Sequence, residues 1–330
     1  MPLSIQSKPA SANVLDELDA FLEKYGDFFA HTAQKLKDTS VCLVAKDQAC
    51  LFIGQREIGS TGVFDENIKM LGTDMMTTCH AAVLRCPVTG ATSLGHFDGS
   101  STKTGILEMI LAVHSISLVT NPELANCQER QLELHLVGGF NDDRQLSEDL
   151  SISLLNEFHR LEVEFCSQLQ IHLQTFCCSS MNTTTVACEN DLIESPVIFG
   201  LGVNISSGHL FPLVFHENAR QPGKVIRGVR TFHGHAKMVN MYRWETNTVV
   251  IKPFTYEPFP NAAKWLELPD SIIKEHMSTS PEVEPPDFVA HIRDSLQYIL
   301  CNPDPLVSIF SERKPLQYEI TNKEWKKITS

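Results

Sequence analysis

The stretch LGTDMMTTCH (71–80), AAVLRCPVTG (81–90), ATSLGHFDGS (91–100) holds two short apolar runs, Ala81–Leu84 and Ala91–Leu94. Pro87, Thr89 and Gly90 punctuate the space between them as a turn. Paired as a hairpin, the runs bring Cys79 and His96 to the same open end. A thiol needs a base beside it to become a nucleophile near neutral pH, and imidazole has a pKa suited to that task. Thr73 offers a hydroxyl and Asp98 a carboxylate beside the pair, and either can orient the base. The pattern alone is unspecific, because cysteine is among the most buried residue types and this chain has 10.

Working outward, Ile68, Met70 and Leu71 read as a strand leading into this stretch. Thr104–Ile116 read as a helix behind it, capped by Ser101 or Thr102, with its positive dipole end close to His96. Val41–Ala45 and Cys50–Ile53 flank Lys46-Asp47-Gln48 and predict a hairpin. Asn13–Leu36 has helical periodicity through Val14, Leu18, Phe21, Tyr25 and Phe28, with Gly26 a candidate break. Downstream, Leu132, Leu134 and Leu136 alternate with Glu133, His135 and Val137 as a half-buried strand. It ends in Gly138-Gly139, a sign of close backbone approach or positive φ. Leu150–Leu161 predicts a second helix and Leu169–Cys177 a strand; Met181–Glu194 reads as a polar loop. Val197–Ile205 and Leu210–Phe215 predict strands, and Met241–Trp244 with Val249–Phe254 a hairpin about Thr246-Asn247. Residues 217–235 hold Arg220, Lys224, Arg227 and Arg230, a local basic patch. A proline-rich connector, Ser278–Pro286, precedes a helix capped by Asp287, and Leu316–Ile328 alternates weakly as an edge strand.

Composition narrows the function. The 330 residues carry a net charge of −13 and are 42% hydrophobic and 20% charged, an ordinary globular balance with ample core. The acidity argues against nucleic acid, whose phosphates need clustered Lys and Arg, and against anionic membranes. It suits cationic ligands such as a peptide α-ammonium. No signal peptide is visible at Met1–Ala12, and no apolar run reaches the ~18–20 residues of a membrane span. The cysteines lack disulfide or zinc spacing, which points to reduced thiols in the cytoplasm or nucleus. His233-Gly234-His235, with His209 or His216, raises a zinc site, but no cysteine or carboxylate stands at ligand spacing, so no metal is expected.

Four segments in order, LGTDMMTTCHAAVLR (71–85), LGHFDGSSTK (94–103), HLVGGFNDDRQLS (135–147) and STSPEVEPPDFVAHIR (278–293), resemble the protein N-terminal asparagine amidohydrolases of the N-degron pathway. The resemblance extends over nearly the whole chain and is weakest before residue 40 and over Met181–Gly234. It implies one α+β domain over residues 1–330, an α-β-β-α sandwich like that of the chemotaxis receptor deamidase CheD and the deamidating necrotizing-factor toxins. A helical segment near 13–37 and the connector-plus-helix near 278–300 would flank it. In CheD a hydroxyl precedes the nucleophilic cysteine by six positions and a histidine follows by seventeen. Carried over, this implies Cys79 as nucleophile, His96 as base and Thr73 as its orienter, where a serine would be expected in the asparagine amidohydrolases. His80 is the rival base, but neighbours on a strand face opposite ways. Asp98 shares a face with His96 and either orients it or holds the substrate's ammonium; Asp74 is the second acceptor, with Thr78 and His80 as further substrate contacts. The implied reaction converts an N-terminal Asn side-chain amide to Asp with loss of ammonia, without a cofactor, by a monomer. Rival classes are another cysteine acyl transferase or protease, and a non-catalytic module that grips N-termini.

Overall fold

The computed structural model describes residues 3–328 apart from 127–128, 162–167, 189–190, 233–236 and 258. The hairpin forms as its two apolar runs predict. Strand His80–Arg85 pairs antiparallel with Thr92–Phe97, and Gly90 closes the turn at φ +72°. This hairpin is the centre of an eight-stranded mixed sheet. Glu57–Thr61 lies beyond Thr92–Phe97, and Glu129–Gly138 lies on the other side of His80–Arg85. Gln168–Cys178 and the N-terminal Leu3–Ile5 follow in parallel register.

Alternation sorts the side chains of the hairpin between two cores. Ala82, Leu84 and Phe97 point to one face, where the helices Leu18–Lys37, Thr102–Thr120 and Leu146–Arg160 cover them. Ala81, Val83 and Leu94 point to the other face, against Leu71, Leu201 and Val203 of a second, five-stranded sheet. The architecture is therefore α+β, with helices on one face of the large sheet and a second sheet on the other. The helix Thr102–Thr120 is long and apolar enough to span a membrane by composition, with mean hydropathy 1.3. Ile106, Met109, Ile110, Val113 and Ile116 are instead fully buried in the helix-side core.

Several local expectations are corrected. Cys42–Val44 and Cys50–Phe52 do not form a hairpin; they are opposite edges of the five-stranded sheet. The first pairs parallel with Leu210–Phe215 and the second parallel with Met70–Thr73, so distant partners outcompete the adjacent one. The N-terminal helix runs unbroken through Gly26, and the break falls at Asp16-Glu17, after a short turn Ala12–Leu15. Gly26 costs such a helix only about 1 kcal/mol, which the buried stripe Leu18, Phe21, Tyr25 and Phe29 offsets. The polar segment after Met181 is not a loop but a two-stranded hairpin, Thr183–Cys188 with Asp191–Pro196. Its β-branched run Thr183-Thr184-Thr185-Val186 suits extended backbone. The tail gives two strands, Leu316–Thr321 and Glu324–Lys327, which extend the Tyr242–Arg243 and Thr248–Ile251 hairpin into a four-stranded sheet. The anticipated caps are not made: neither Ser101 nor Asp287 hydrogen-bonds its helix's backbone with its side chain.

Candidate active site

The register of the central hairpin places the key side chains. Ala81 lies opposite His96 and His80 opposite Phe97. Extending that register by one puts Cys79 opposite Asp98 and diagonal to His96, on the sheet face that meets the second sheet. Such diagonal neighbours lie about 7–8 Å apart at Cα, within reach of a cysteine and an imidazole. Thr73, the last residue of Met70–Thr73, arrives from the second sheet, and its Oγ1 lies 2.6 Å from His96 Nδ1. The dyad and its hydroxyl thus bridge two sheets. His96 Nε2 is buried and has no hydrogen-bond partner among the described residues, so one ring nitrogen is held and the other is left for chemistry.

His80 lies on the helix-covered face. Its Nε2 is 2.8 Å from Ser151 Oγ and its Nδ1 is 3.2 Å from the Thr78 carbonyl. Both nitrogens are occupied away from Cys79's face, and His80 does not line the cavity that holds Cys79 and His96. We expect His80→Ala to retain most activity and His96→Ala to fall close to a cysteine mutant. Thr73→Val, which keeps shape and removes the hydroxyl, should lower kcat more than it raises KM. Steady-state rates on one peptide rank the three, and a dead His80→Ala beside an active His96→Ala would overturn the assignment.

Electrostatics set the resting protonation. Burial raises the Cys79 thiol well above its usual range, the nearby Asp98 and Glu284 carboxylates raise it further, and Arg56 only partly opposes them. Burial lowers His96 to about 4, although Asp98 and Glu57 pull the other way. The unliganded site therefore holds a neutral thiol beside a neutral imidazole. In the tautomer that leaves Nε2 as the acceptor, Nδ1–H would donate to Thr73 Oγ1.

The strand ending in Gly138-Gly139 packs against Cys79. The Gly139 N–H donates to the Cys79 carbonyl at 2.9 Å. Gly138 adopts φ +134°, and a Cβ there would come within 2.5 Å of the Cys79 carbonyl oxygen. Buried Asn182 holds this turn by donating Nδ2–H to the Gly139 carbonyl at 2.8 Å. Gly138→Ala should lower kcat by about 100-fold or more while the protein still folds, since displacements of about 1 Å cost that much. Kinetics with circular dichroism would check it, and an unchanged kcat would show that Cys79 tolerates the shift.

A model of the family described as protein N-terminal asparagine amidohydrolase matches residues 41–327. The human protein of that name is 38% identical over 100% of this chain and 99% of its own. A mouse relative of the same name is 38% identical over 90% of each chain. One from Arabidopsis thaliana is 28% identical over 84% of this chain and 80% of its own. This chain belongs to the protein N-terminal asparagine amidohydrolase family.

The four segments that carry the family resemblance converge in space. Cys79, His96, Asp98, Asp74, Thr78 and Arg144 line one cavity of about 860 Å³ together with Ser278, Thr279 and Glu284 of the proline-rich connector. The connector sits directly on the loop before Cys79, with Thr78 Oγ1 3.3 Å from Thr279 Oγ1. Cavities of roughly 300–1,000 Å³ are the usual size for ligand sites.

The carboxylates first assigned to the substrate are used by the protein itself. Asp98 accepts from Arg56 Nε at 2.6 Å, from Gln55 Nε2 at 2.7 Å and from the Ser100 N–H at 3.0 Å. Burial works to raise its pKa, but these donors and the Arg56 charge carry it below the usual range. Asp98 therefore braces the loop whose Arg56 N–H donates to the His96 carbonyl at 3.0 Å. Asp74 accepts from Arg220 Nη2 at 2.8 Å and from the Phe215 N–H at 2.9 Å. The arginines of the local basic patch are largely turned inward. Arg220 also reaches Asp287, and Arg227 pairs with Glu57.

Glu284 was not singled out from sequence. It accepts from Ser278 Oγ, and burial raises it to about 7, with the Ser278 hydroxyl and Lys274 opposing. Its half-buried carboxylate faces the cavity of Cys79 without a guanidinium partner among the described residues. The signal that might have found it is its place in the matched segment STSPEVEPPD. His209 and His216 are exposed, and no group of metal-ligating side chains occurs among the described residues. His233-Gly234-His235 lies outside them.

Proposed function

We propose that this protein hydrolyses the side-chain amide of an N-terminal Asn in peptides and proteins, giving Asp and ammonia. The observation that carries the reading is the Thr73–His96 hydrogen bond at 2.6 Å beside Cys79, in a chain of this family. The Cys79 Sγ–H gives its proton to His96 Nε2 as sulfur bonds to the amide carbon. His96 passes that proton to the nitrogen as the C–N bond breaks, and ammonia leaves a thioester on Cys79. Water then attacks the thioester carbon, giving a proton to His96. The C–S bond breaks, sulfur takes that proton back, and Asp is released. Buried backbone N–H groups beside Cys79 would stabilise the oxyanion in both halves. No step needs a cofactor.

The helix-covered large sheet and the second sheet behind it support kinship with the CheD-like cysteine deamidases. The new Asp would then feed arginylation and degradation in the N-degron pathway.

N-terminal specificity requires an acceptor for the substrate's α-ammonium, because every exposed Asn offers the same amide. Glu284 suits this role better than Asp98 or Asp74, whose oxygens are committed to arginines. The deciding experiment incubates the protein with Asn-starting and Gln-starting peptides. A mass gain of about 1 Da with ammonia release from Asn peptides alone is expected, since Gln misplaces its amide by one methylene, and ~1 Å can cost 100-fold. Retention of both masses would overturn the activity.

A further inference from the structure

One buried side chain ties together the two sheets between which the site is assembled, and no step of the amide chemistry uses it. Asn182 is fully buried at the end of the short helical turn Ser179–Asn182, which follows the strand Gln168–Cys178. Its side-chain amide bonds backbone in three places. Nδ2 donates to the Gly139 carbonyl at 2.8 Å and to the Ile198 carbonyl at 3.2 Å, and Oδ1 accepts from the Ile198 N–H at 3.0 Å. Two carbonyls and one N–H call for two donors and an acceptor in one planar group, which a carboxamide supplies. The segments held this way belong to different sheets. Gly139 continues the strand Glu129–Gly138 of the large sheet, and its N–H holds the Cys79 carbonyl. Ile198 leads into Leu201–Asn204 of the second sheet, where Leu201 pairs with Thr73. Just past Ile198, the Phe199 carbonyl accepts from the Met76 N–H at 2.8 Å. Gly200 then passes so close to Thr73 that a Cβ there would lie 2.8 Å from the Thr73 carbonyl oxygen. One amide thus fixes the segment behind Cys79 against the segment behind Thr73.

Resting on the reading above, we propose that Asn182 is a positioning residue for the deamidation, setting the spacing between Cys79 Sγ on the large sheet and the Thr73–His96 pair tied to the second. Asn182 does not line the cavity, so it acts through these segments and not on the substrate. The Sγ proton reaches His96 Nε2 only across a short gap, and Thr73 holds the other ring nitrogen from the second sheet. A slip between the sheets lengthens that gap without removing any group that contacts the peptide. Its cost falls on the chemical step, where a displacement of about 1 Å is worth about 100-fold.

The test reads the first-order rate of ammonia release with the full chain in saturating excess over an Asn-starting peptide. At saturation that rate does not depend on the fraction of protein that is folded, so partial unfolding does not mimic the result. Asn182→Ala should lower it by about 100-fold, with the steady-state KM within about twofold of wild type. Asn156→Ala is the control. Asn156 is also a buried asparagine whose Nδ2 holds a backbone carbonyl, that of Leu15 at 2.8 Å, and it does not line the cavity. Its replacement should leave the rate unchanged. Asn182→Asp keeps the size and the acceptor but, once ionised, sets a charge against two carbonyls. Burial and those carbonyls hold its proton to higher pH than in an ordinary carboxyl, and the protonated acid can still donate to Gly139. Its rate relative to wild type should therefore be higher at about pH 6 than at about pH 8. A wild-type rate in Asn182→Ala, an equal fall in Asn156→Ala, or an Asn182→Asp ratio independent of pH would overturn the positioning role while leaving the deamidase reading intact. A wild type inert toward Asn peptides would overturn that reading and the role with it.

Discussion

Cys79→Ala is expected to lower deamidation of an Asn-starting peptide by at least about 1,000-fold while leaving the fold in place. Removing a nucleophile eliminates the covalent route, and what remains is whatever the bound water and the polarised site achieve, as in other systems where catalytic groups act as a unit. Cys79→Ser should be nearly as poor. A serine hydroxyl is far less acidic than a thiol, and this site raises even the thiol's pKa by burial and by the Asp98 and Glu284 charges. Proton removal must therefore coincide with attack, through His96 Nε2. The side chain is only partly exposed and sits at the edge of a core, so Ala and Ser change little packing. The decisive measurement is a single-turnover assay with a trapped thioester. Wild type should accumulate a covalent adduct at Cys79, and neither variant should. Full activity in Cys79→Ala would remove the mechanism, and would favour a binding module or a different nucleophile. Cys177 and Cys178 are fully buried with raised pKa, so neither is placed to take over.

The placement of Cys79 and His96 together at one end of the hairpin was legible in sequence because it is local. Two apolar runs about a Pro–Gly turn dictate a hairpin, and the hairpin dictates that residues two apart share a face. That rule separated His96 from His80, and the register agrees: Phe97 and His80 face the helices. What pairing at long range decides was not legible. The runs around Lys46-Asp47-Gln48 have the spacing of a hairpin, yet each joins a strand far along the chain, Leu210–Phe215 or Met70–Thr73. The arginines after residue 217 read only as a local basic patch, because their partners are far along the chain. Arg220 and Arg227 are buried because Asp74, Asp287 and Glu57 neutralise them, partners between 67 and 170 residues away. The same distance hid Glu284, the acceptor proposed for the substrate's ammonium. Asp98 and Asp74 are nearest to Cys79 and His96 in sequence, and both are taken up by arginines, Asp98 by Arg56 and Asp74 by Arg220. Glu284 is nearly two hundred positions from His96 and lies on the same cavity.

Arg220 shows how the distant parts are held together. One guanidinium grips Asp74, the residue after Thr73, and Asp287, which starts the helix after Glu284. Asp287 fails to cap that helix with its side chain because its carboxylate is drawn to Arg220. The strand that ends in Thr73 and the segment that follows Glu284 are thus cross-linked through one buried guanidinium. Breaking such a cluster from one side leaves an uncompensated buried charge, which typically costs about 3–5 kcal/mol.

Acetylating the substrate's N-terminus is expected to abolish turnover, and Glu284→Gln is expected to raise KM sharply with a smaller change in kcat. A cationic ammonium leaving water for a half-buried cavity needs a charged acceptor, and charge-assisted hydrogen bonds are the strong ones. Glutamine keeps the size of Glu284 and its contact with Ser278, so the variant tests charge and not packing. The pH profile gives a second, independent signature. In the free protein burial holds Glu284 near 7. Below that pH the carboxyl takes up a proton, loses its attraction for the ammonium, and kcat/KM falls. The substrate's own α-ammonium has a pKa of about 7.7–8.0, so above that range the substrate loses its charge and kcat/KM falls again. Since kcat/KM reports the free protein and free substrate, wild type should show a narrow bell between about 7 and 8. Glu284→Gln should lose the acidic limb and keep the alkaline one. His96, held near 4 by burial, and Cys79, raised by burial, titrate too far away to produce either limb. Equal rates on acetylated and free Asn peptides would show that no ammonium pocket exists. An acidic limb that persists in Glu284→Gln would assign it to another group.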